Sequence, residues 1–283
     1  MRDTVASTDM LSEDIRTFCA TTHKGPVYLA EAEFGLHQIR PFLDALDPGA
    51  RVLEVGSGPC IALSVLAAHY PELHFEGIEP MGSGFALFEA FISELEAGHG
   101  SFDLFKGGYE AFPRTGDWDL IFLVNVFEHL PDWRHFLGFV RENLSPSGKC
   151  IVLCPNYGFP YESHFGLPVL WNKALTRSVF RSSIETFERA HGWDGLYDSL
   201  NFVKLRHVRR EAVRAELTLD VHAEIVQQMI DRLETDAEFA KRQKSIAGLA
   251  LMMKRSGVLN WLIARPTIQN HLPYMKLEFR RSG

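Results

Sequence analysis

The ten residues RVLEVGSGPC, 51–60, restrict the fold more than any other part of the chain. Arg51-Val52-Leu53-Glu54-Val55 reads as a short buried strand, and Gly56-Ser57-Gly58-Pro59-Cys60 turns from it into an apolar helix. Glycines at such a junction let the backbone take left-handed angles and approach a ligand closely. A turn of this kind can serve a dinucleotide, a phosphate or an adenosine-bearing sulfonium, so the rest of the chain must choose among them.

The alternation begun there continues. Further strands are expected at 73–79, 101–106, 118–125 and 148–154, separated mostly by helical patterns. Phe85, Phe88, Phe91, Ile92 and Leu95 recur at helical spacing within 82–97. Pro131 suits a first helical turn, and Trp133, Phe136, Leu137, Val140 and Leu144 share one face of a helix over 131–144. DLIFLV and CIVLC are nearly continuous apolar runs, as central strands buried on both faces require. Strands alternating with helices imply a parallel sheet with right-handed crossovers.

Upstream, 11–47 reads as helical and ends at the turn Asp47-Pro48-Gly49. After Pro155 the pattern changes to an aromatic loop, PNYGFPYESHFGLP. A helix is expected over 168–190, a sixth strand at LNFVKLRHV (200–208), helices over 221–240 and 243–264, and a final strand at YMKLEFRR (274–281). The connection from 209 to 273 is too long to lack structure of its own and is expected to be a helical cap. The expected fold class is α/β: a Rossmann-like, seven-stranded, mostly parallel sheet with helices on both faces and a helical cap.

The dinucleotide fingerprint asks for a third glycine at position 61, which is Ile61. Pro59 removes a backbone N–H where a pyrophosphate needs donors. No GxxxxGK[ST] phosphate loop occurs. S-adenosylmethionine carries no phosphate, so the donor missing at Pro59 costs it nothing. Glu79 ends the second strand in FEGIEP, about 20 residues beyond the turn, where a carboxylate can accept both ribose hydroxyls. That feature alone fits nicotinamide enzymes equally well.

VLEVGSGPC, GIEP, WDLIFLVNVFEHLPD and SGKCIVLCPN occur in this order. Together they resemble the class I S-adenosylmethionine-dependent methyltransferases, strongly over 50–155. The resemblance extends more loosely to the PNY…HFGLP loop, which looks like bacterial methyltransferases acting on sugars or other small molecules. It implies S-adenosyl-L-methionine as cofactor and S-adenosyl-L-homocysteine as product. Glu54, Gly56, Ser57 and Gly58 would line the methionine part, Glu79 would bind the ribose, and Pro80 and Met81 would flank the adenine. Gly108 stands where the family often has an acidic residue beside the adenine amino group, with Tyr109 and Glu110 as substitutes. Asn125 would hold the cofactor's amino group through its backbone. Cys60 occupies a position where glycine is common. The implied organisation is an N-terminal helical segment, 1–48, a cofactor-binding domain of 49–208 and 272–283, and a cap insertion, 209–271.

Methyl transfer is an in-line displacement at a carbon already activated by sulfonium, so alignment supplies most of the help. A hydroxyl acceptor also needs a base with a pKa near the working pH, which suits histidine. His129, in FEHL, follows the fourth strand, and His164, in YESHFGLP, follows the fifth; open parallel sheets bind ligands on that rim. Glu128 is an alternative base or an orienting group. Tyr157, Phe159, Tyr161, His164 and Phe165 are expected around the acceptor. No metal is expected, because no histidines stand at a spacing such as HExxH. The cap and the 156–168 loop are expected to close over the acceptor as a lid.

Composition narrows the partners. With 283 residues and 46% hydrophobic content, the chain suits one large domain or a domain with an elaborated cap. Net charge is −7, which argues against nucleic acid. Residues 200–283 nevertheless carry 15 Lys+Arg against 9 Asp+Glu, leaving a peripheral membrane contact open. No signal peptide or membrane span is expected; the most apolar late stretch, 248–264, is interrupted by Lys254 and Arg255. Cys19, Cys60, Cys150 and Cys154 form no disulfide or zinc pattern and are expected as buried thiols in the cytoplasm. The reading is a methyltransferase for a small-molecule acceptor, with a hydroxyl on a sugar or another biosynthetic intermediate preferred and a homo-oligomer open. The rivals are an NAD(P)-dependent oxidoreductase and an inactive S-adenosylmethionine-binding module.

Overall fold

The computed structural model describes residues 11–22, 25–81, 89, 92, 93, 95, 101–113 and 116–283. Its strands are β1 (Arg51–Val55), β2 (His74–Glu79), β3 (Phe102–Lys106), β4 (Trp118–Val124), β5 (Leu144–Pro155), β6 (Tyr161–Glu162), β7 (Leu167–Pro168), β8 (Leu217–Val221) and β9 (Tyr274–Arg281). Seven of them form one sheet in the order β3-β2-β1-β4-β5-β9-β8, and β6 and β7 make a separate antiparallel pair. β1 pairs in parallel with β2 and β4, and β2 with β3, while β8 and β9 run antiparallel. The seven-stranded, mostly parallel α/β sheet read from the sequence is therefore present. In β1 and β4 adjacent residues point to opposite faces, yet the neighbours Val52 and Leu53, and Ile121 and Phe122, are all buried. Both faces are covered, which is why these strands read as unbroken apolar runs.

The chain divides into two compact units: Met1–Val124 with Glu142–Ile151, and Asn125–Arg141 with Val152–Gly283. In the first unit, α1 (Glu13–Thr21) and α2 (Gly25–Leu43) fill the stretch expected to be helical. Ser12 caps α1 by accepting from Ile15 N, and Thr22, with extended angles, ends it. α3 (Ile61–His69) follows the glycine turn and buries Ile61, Leu63, Val65 and Leu66. β1 and β2 lie in register with Val52 beside Phe75 and Val55 beside Ile78. A Cβ at position 77 of β2 would stand 2.5 Å from Ser57 Oγ and 2.7 Å from Leu63 Cδ2, so any other residue there would force these side chains to move. The helix expected over 82–97 lies mostly outside the described residues; Glu89, Ile92, Ser93 and Leu95 are helical, and Ile92 and Leu95 are buried.

The second unit holds α4 (Trp133–Asn143) for the most part, then α5 (Lys173–His191), α6 (Leu196–Ser199) and α7 (Leu205–Arg214). The strand expected over 200–208 is not formed. Residues 201–204 are irregular and α7 begins at Leu205. Two features override the short alternation that suggested a strand. Phe202 sits at φ +56°, which breaks any extended run. Leu205, Val208 and Ala212 are buried at spacings of three and four, a helical rather than a strand period. The sixth strand of the sheet is instead β8. The long connection to β9 thus starts after Val221 and contains α8 (Ile225–Thr235), α9 (Ala237–Arg242), α10 (Lys244–Arg255), α11 (Val258–Ile263) and α12 (Pro266–Gln269).

Asn156, 1% exposed, ties this unit together. Its Nδ2 donates to the carbonyls of Asn270 (3.2 Å) and Leu272 (2.8 Å), and its Oδ1 accepts from Gly158 N (2.9 Å) and Leu205 N (3.1 Å). The end of the long connection is thereby joined to the loop after β5 and to the start of α7. Among the described residues no helix is long and apolar enough to cross a membrane. Cys19, Cys60, Cys150 and Cys154 are all buried free thiols.

Candidate functional site

The glycine turn of the first unit has already committed its backbone donors. Gly56 N and Ser57 N both point to Ile78 O (2.7 and 3.2 Å), and Cys60 N donates to Ser57 O (2.8 Å). Gly58 N donates to Glu79 Oε2 at 2.9 Å, and Pro59 has no N–H. Gly56 and Gly58 take φ +78° and +51° to make this possible, and Cys60 follows them at +58°. That angle explains why glycine is common at position 60 in the resembled family. Ser57 turns its hydroxyl inward to Glu54 O (3.3 Å).

Two carboxylates flank the turn. Glu54, 5% exposed, has an Oε2 with no hydrogen-bond partner, and burial together with the charge of Glu79 holds its carboxyl well above the usual range. Glu79, 6% exposed, is also raised by burial, against the pull of the Gly58 and Met81 N–H groups. Within residues 56–60 a pyrophosphate would find no uncommitted N–H, and the two carboxylates would oppose its charge. A cation would relieve both carboxylates. Among the expected adenine neighbours, Pro80 is exposed, and Met81 is half-buried with φ +52°. Tyr109 is buried in a single helical turn, Tyr109–Ala111. Glu110 is exposed, and its Oε2 lies 2.5 Å from where a Cβ on Gly108 would be. A carboxylate from position 110 thus stands beside position 108.

A second polar cluster lies wholly within the second unit. The turn Phe127–His129 brings Glu128 into the interior and leaves His129 half-buried. Asn201 clamps this turn: its N donates to Glu128 O (2.7 Å), and its Nδ2 to Phe127 O (2.7 Å) and Leu130 O (3.1 Å). The rings of His129 and His164 lie 5.6 Å apart, edge to face, and one donor atom from each of Glu128, His129 and His164 falls within 4.8 Å of the others. Burial first, and then a charge on His164, push the His129 pKa down to about 3, although Glu162 pulls the other way. His129 is therefore neutral near pH 7.

Glu162 is fully buried and was not foreseen from the sequence. It accepts from His164 Nδ1 (2.6 Å), His164 N (3.2 Å), Phe165 N (2.7 Å) and the Tyr157 hydroxyl (3.2 Å). Burial opposes its charge, but His164 and these N–H groups outweigh it and hold its carboxyl below the usual range. An ionised carboxylate only accepts, so His164 Nδ1 is the donor. Ser199 acts similarly on His129: its hydroxyl donates to Leu196 O (2.7 Å), so it must accept from His129 Nδ1 (2.8 Å). In neutral His129, Nε2 then carries the lone pair.

The expected aromatic residues are placed differently from one another. Tyr157 is buried and stacks on Phe202 with centroids 4.3 Å apart. Phe165 packs against the buried cluster of Ile184, Tyr197 and Leu200. Tyr161 is half-buried and meets Phe159 edge-on at 6.5 Å. Asn125, also of this unit, takes φ +55°, donates its N–H to Leu153 O (2.8 Å) and accepts from the Tyr274 hydroxyl (2.6 Å).

Comparison with known proteins agrees with this architecture. A family described as a methyltransferase domain matches residues 29–219. Proteins of two Mycobacterium tuberculosis strains, both named only as uncharacterized, are 37% identical over 220 residues, covering 76% of this chain and 73% of theirs. The fold is similar to that of phosphoethanolamine N-methyltransferase 2 of Haemonchus contortus, at 14% identity and a TM-score of 0.51, over 87% of this chain. The match spans only 51% of the worm enzyme. A putative sarcosine dimethylglycine methyltransferase of Galdieria sulphuraria is similar at 15% identity and a TM-score of 0.51, over 90% of this chain and 86% of its own. On the family match and the sheet order together, the chain belongs to the class I methyltransferases, whose cofactor is S-adenosyl-L-methionine.

Proposed function

We propose that the protein transfers the methyl group of S-adenosyl-L-methionine to a hydroxyl oxygen of a small molecule, such as a sugar or another biosynthetic intermediate. The observation that carries the cofactor side is the pair of buried carboxylates, Glu54 and Glu79, at a turn whose N–H groups are already bonded. That environment favours the sulfonium and ammonium of S-adenosylmethionine and opposes the pyrophosphate of a nicotinamide dinucleotide. In this reading Glu54 and the Gly56–Gly58 backbone take the methionine end, Glu79 takes the ribose, and Pro80 and Met81 border the adenine. Glu110 takes the part of the acidic residue missing at Gly108, with Tyr109 packed beneath. The role of Asn125 at the cofactor's amino group rests on the likeness of the sequence to the family.

The oxygen preference rests on the histidine cluster. His129, its pKa pushed down to about 3, is too weak a base for the role expected of it, so the acceptor's proton is assigned to Nε2 of His164, whose Nδ1 is engaged by Glu162. In the transfer the acceptor oxygen forms a bond to the methyl carbon while the carbon–sulfur bond breaks. The electron pair goes to sulfur, giving neutral S-adenosylhomocysteine, and the hydroxyl proton goes to imidazole. Tyr161, half-buried beside Phe159, is proposed to border the acceptor; Tyr157 and Phe165 act behind it as packing. The structural relatives act on dissimilar acceptors by their names, an amine in the worm enzyme and mycolic acid in a cyclopropane synthase, so they do not choose among acceptor atoms.

The test is incubation with methyl-labelled S-adenosylmethionine and fractionated metabolite extracts, followed by mass spectrometry of labelled products. A labelled methyl ether, with equimolar S-adenosylhomocysteine, is expected. Label appearing only on nitrogen or carbon would overturn the hydroxyl assignment.

A further inference from the structure

We propose that Glu128, His129 and His164 form a binding site for a divalent transition-metal cation, with Glu162 and Ser199 orienting the two imidazoles. The linear spacing of these residues gives no hint of it, because Glu128 and His129 lie in the turn after β4 and His164 lies after β6. The fold brings one donor atom from each within 4.8 Å of the others. Ligands about 2.0–2.2 Å from an ion stand about 3 Å apart, so the set would contract around a bound ion. Two imidazoles and one carboxylate are a donor set that suits a first-row transition metal and keeps coordination positions open.

The second observation is the support behind the ligands. His164 Nδ1 is held by the fully buried Glu162 at 2.6 Å. His129 Nδ1 is held by Ser199 Oγ at 2.8 Å, whose own proton is directed to Leu196 O. Both rings thus have Nδ1 engaged by a side chain of the protein, and both would ligate through Nε2. A carboxylate or hydroxyl on the far nitrogen of a ligating histidine is the usual outer arrangement of such sites. General-base catalysis alone needs one such imidazole; the structure brings two, with a carboxylate, into one cluster. With both Nε2 atoms given to an ion, imidazole would no longer serve as the base; the ion would take the acceptor oxygen into an open position and lower the pKa of its hydroxyl, and the proton would leave to water instead.

The proposal concerns the cluster that the hydroxyl reading uses, but metal binding is measured without any acceptor. The full-length chain, untagged and stripped with chelator, is titrated with Co2+ and, separately, with Cu2+. One ion per chain is expected, with the cobalt absorption of an N/O site and with nitrogen hyperfine structure from two imidazoles in the copper EPR spectrum. His129→Asn and His164→Asn should each weaken binding at least a hundredfold while S-adenosylmethionine affinity stays within threefold. Glu162→Gln should weaken it 10- to 100-fold. Binding below a tenth of an equivalent, a copper spectrum with fewer than two imidazole nitrogens, or wild-type affinity in both histidine variants would overturn the site. The copper spectrum of the unaltered chain decides the matter if the variants fail to fold. Failure here leaves methyl transfer standing, and absence of labelled product leaves the metal site standing.

Discussion

Glu54→Gln is expected to change cofactor affinity and stability in opposite directions. The wild-type side chain is 5% exposed, its Oε2 has no hydrogen-bond partner, and burial and Glu79 both disfavour its charge. A buried polar atom left without a partner costs about 1–3 kcal/mol, and more when charged. The amide keeps the polar atoms and loses the charge, so the ligand-free protein should gain about 1 kcal/mol, a rise of roughly 2–4 °C in Tm for a chain of this size. Cofactor binding loses a charge-assisted interaction worth about 2 kcal/mol, roughly thirtyfold in Kd. The pH dependence follows from the same group. The carboxyl titrates higher in the folded state than its ordinary value of 4.5, so above that value the folded protein keeps a proton that the unfolded chain has released. Stability therefore falls with rising pH through the window that starts near 4.5, and the slope should shrink in the Gln variant. A cationic cofactor favours the carboxylate, so binding releases a proton and tightens with rising pH through the same window. Thermal melts and calorimetric titrations in buffers of different ionisation enthalpy measure each term. A lower Tm with unchanged Kd would show that Glu54 is structural and that the electrostatic argument is wrong.

Other substitutions test separate parts of the account. Gly58→Val should abolish cofactor binding, because a branched residue cannot hold φ +51° beside Glu79; calorimetric binding within threefold of wild type would refute this. Glu79→Ala should weaken cofactor affinity by about 2 kcal/mol and also strip Gly58 N of its acceptor, and an unchanged Kd with a collapsed Tm would count against the ribose role. Glu110→Ala should raise the Kd severalfold without moving Tm, since the side chain is exposed, and equal affinity would remove it from the adenine site. Asn156→Ala removes four hydrogen bonds and should cost about 3–4 kcal/mol, seen as a drop of roughly 10 °C in Tm; a drop under 2 °C would contradict its place at the centre of the second unit.

The parts of the fold legible in the sequence were those written in local pattern. DLIFLV and RVLEV read as central strands because both faces are buried, a demand that falls on every residue of Val52–Val55 and of Leu120–Leu123. The glycine turn was legible because positive φ admits few residue types. The segment 200–204 misled because three alternating residues cannot outweigh a left-handed Phe202, which tertiary contacts impose. Val203 O accepting from Tyr157 N, and Asn201 clamping the Phe127–Leu130 turn, are long-range bonds with no local signature. Glu162 escaped notice for the same reason. In YESHFG it reads as a surface loop residue, and only its complete burial beside His164 and Tyr157 gives it a role. The convergence of Glu128, His129 and His164 likewise depends on two separate connections folding together.

The central claim is that the glycine turn with its two buried carboxylates selects a cationic, phosphate-free cofactor. Parallel calorimetric titrations of the unaltered chain with S-adenosylmethionine and with NAD+ test it most directly. The account predicts one S-adenosylmethionine per chain and no detectable heat with NAD+ at concentrations a hundred times higher. Saturable NAD+ binding at the same site, or no binding of S-adenosylmethionine, would contradict it.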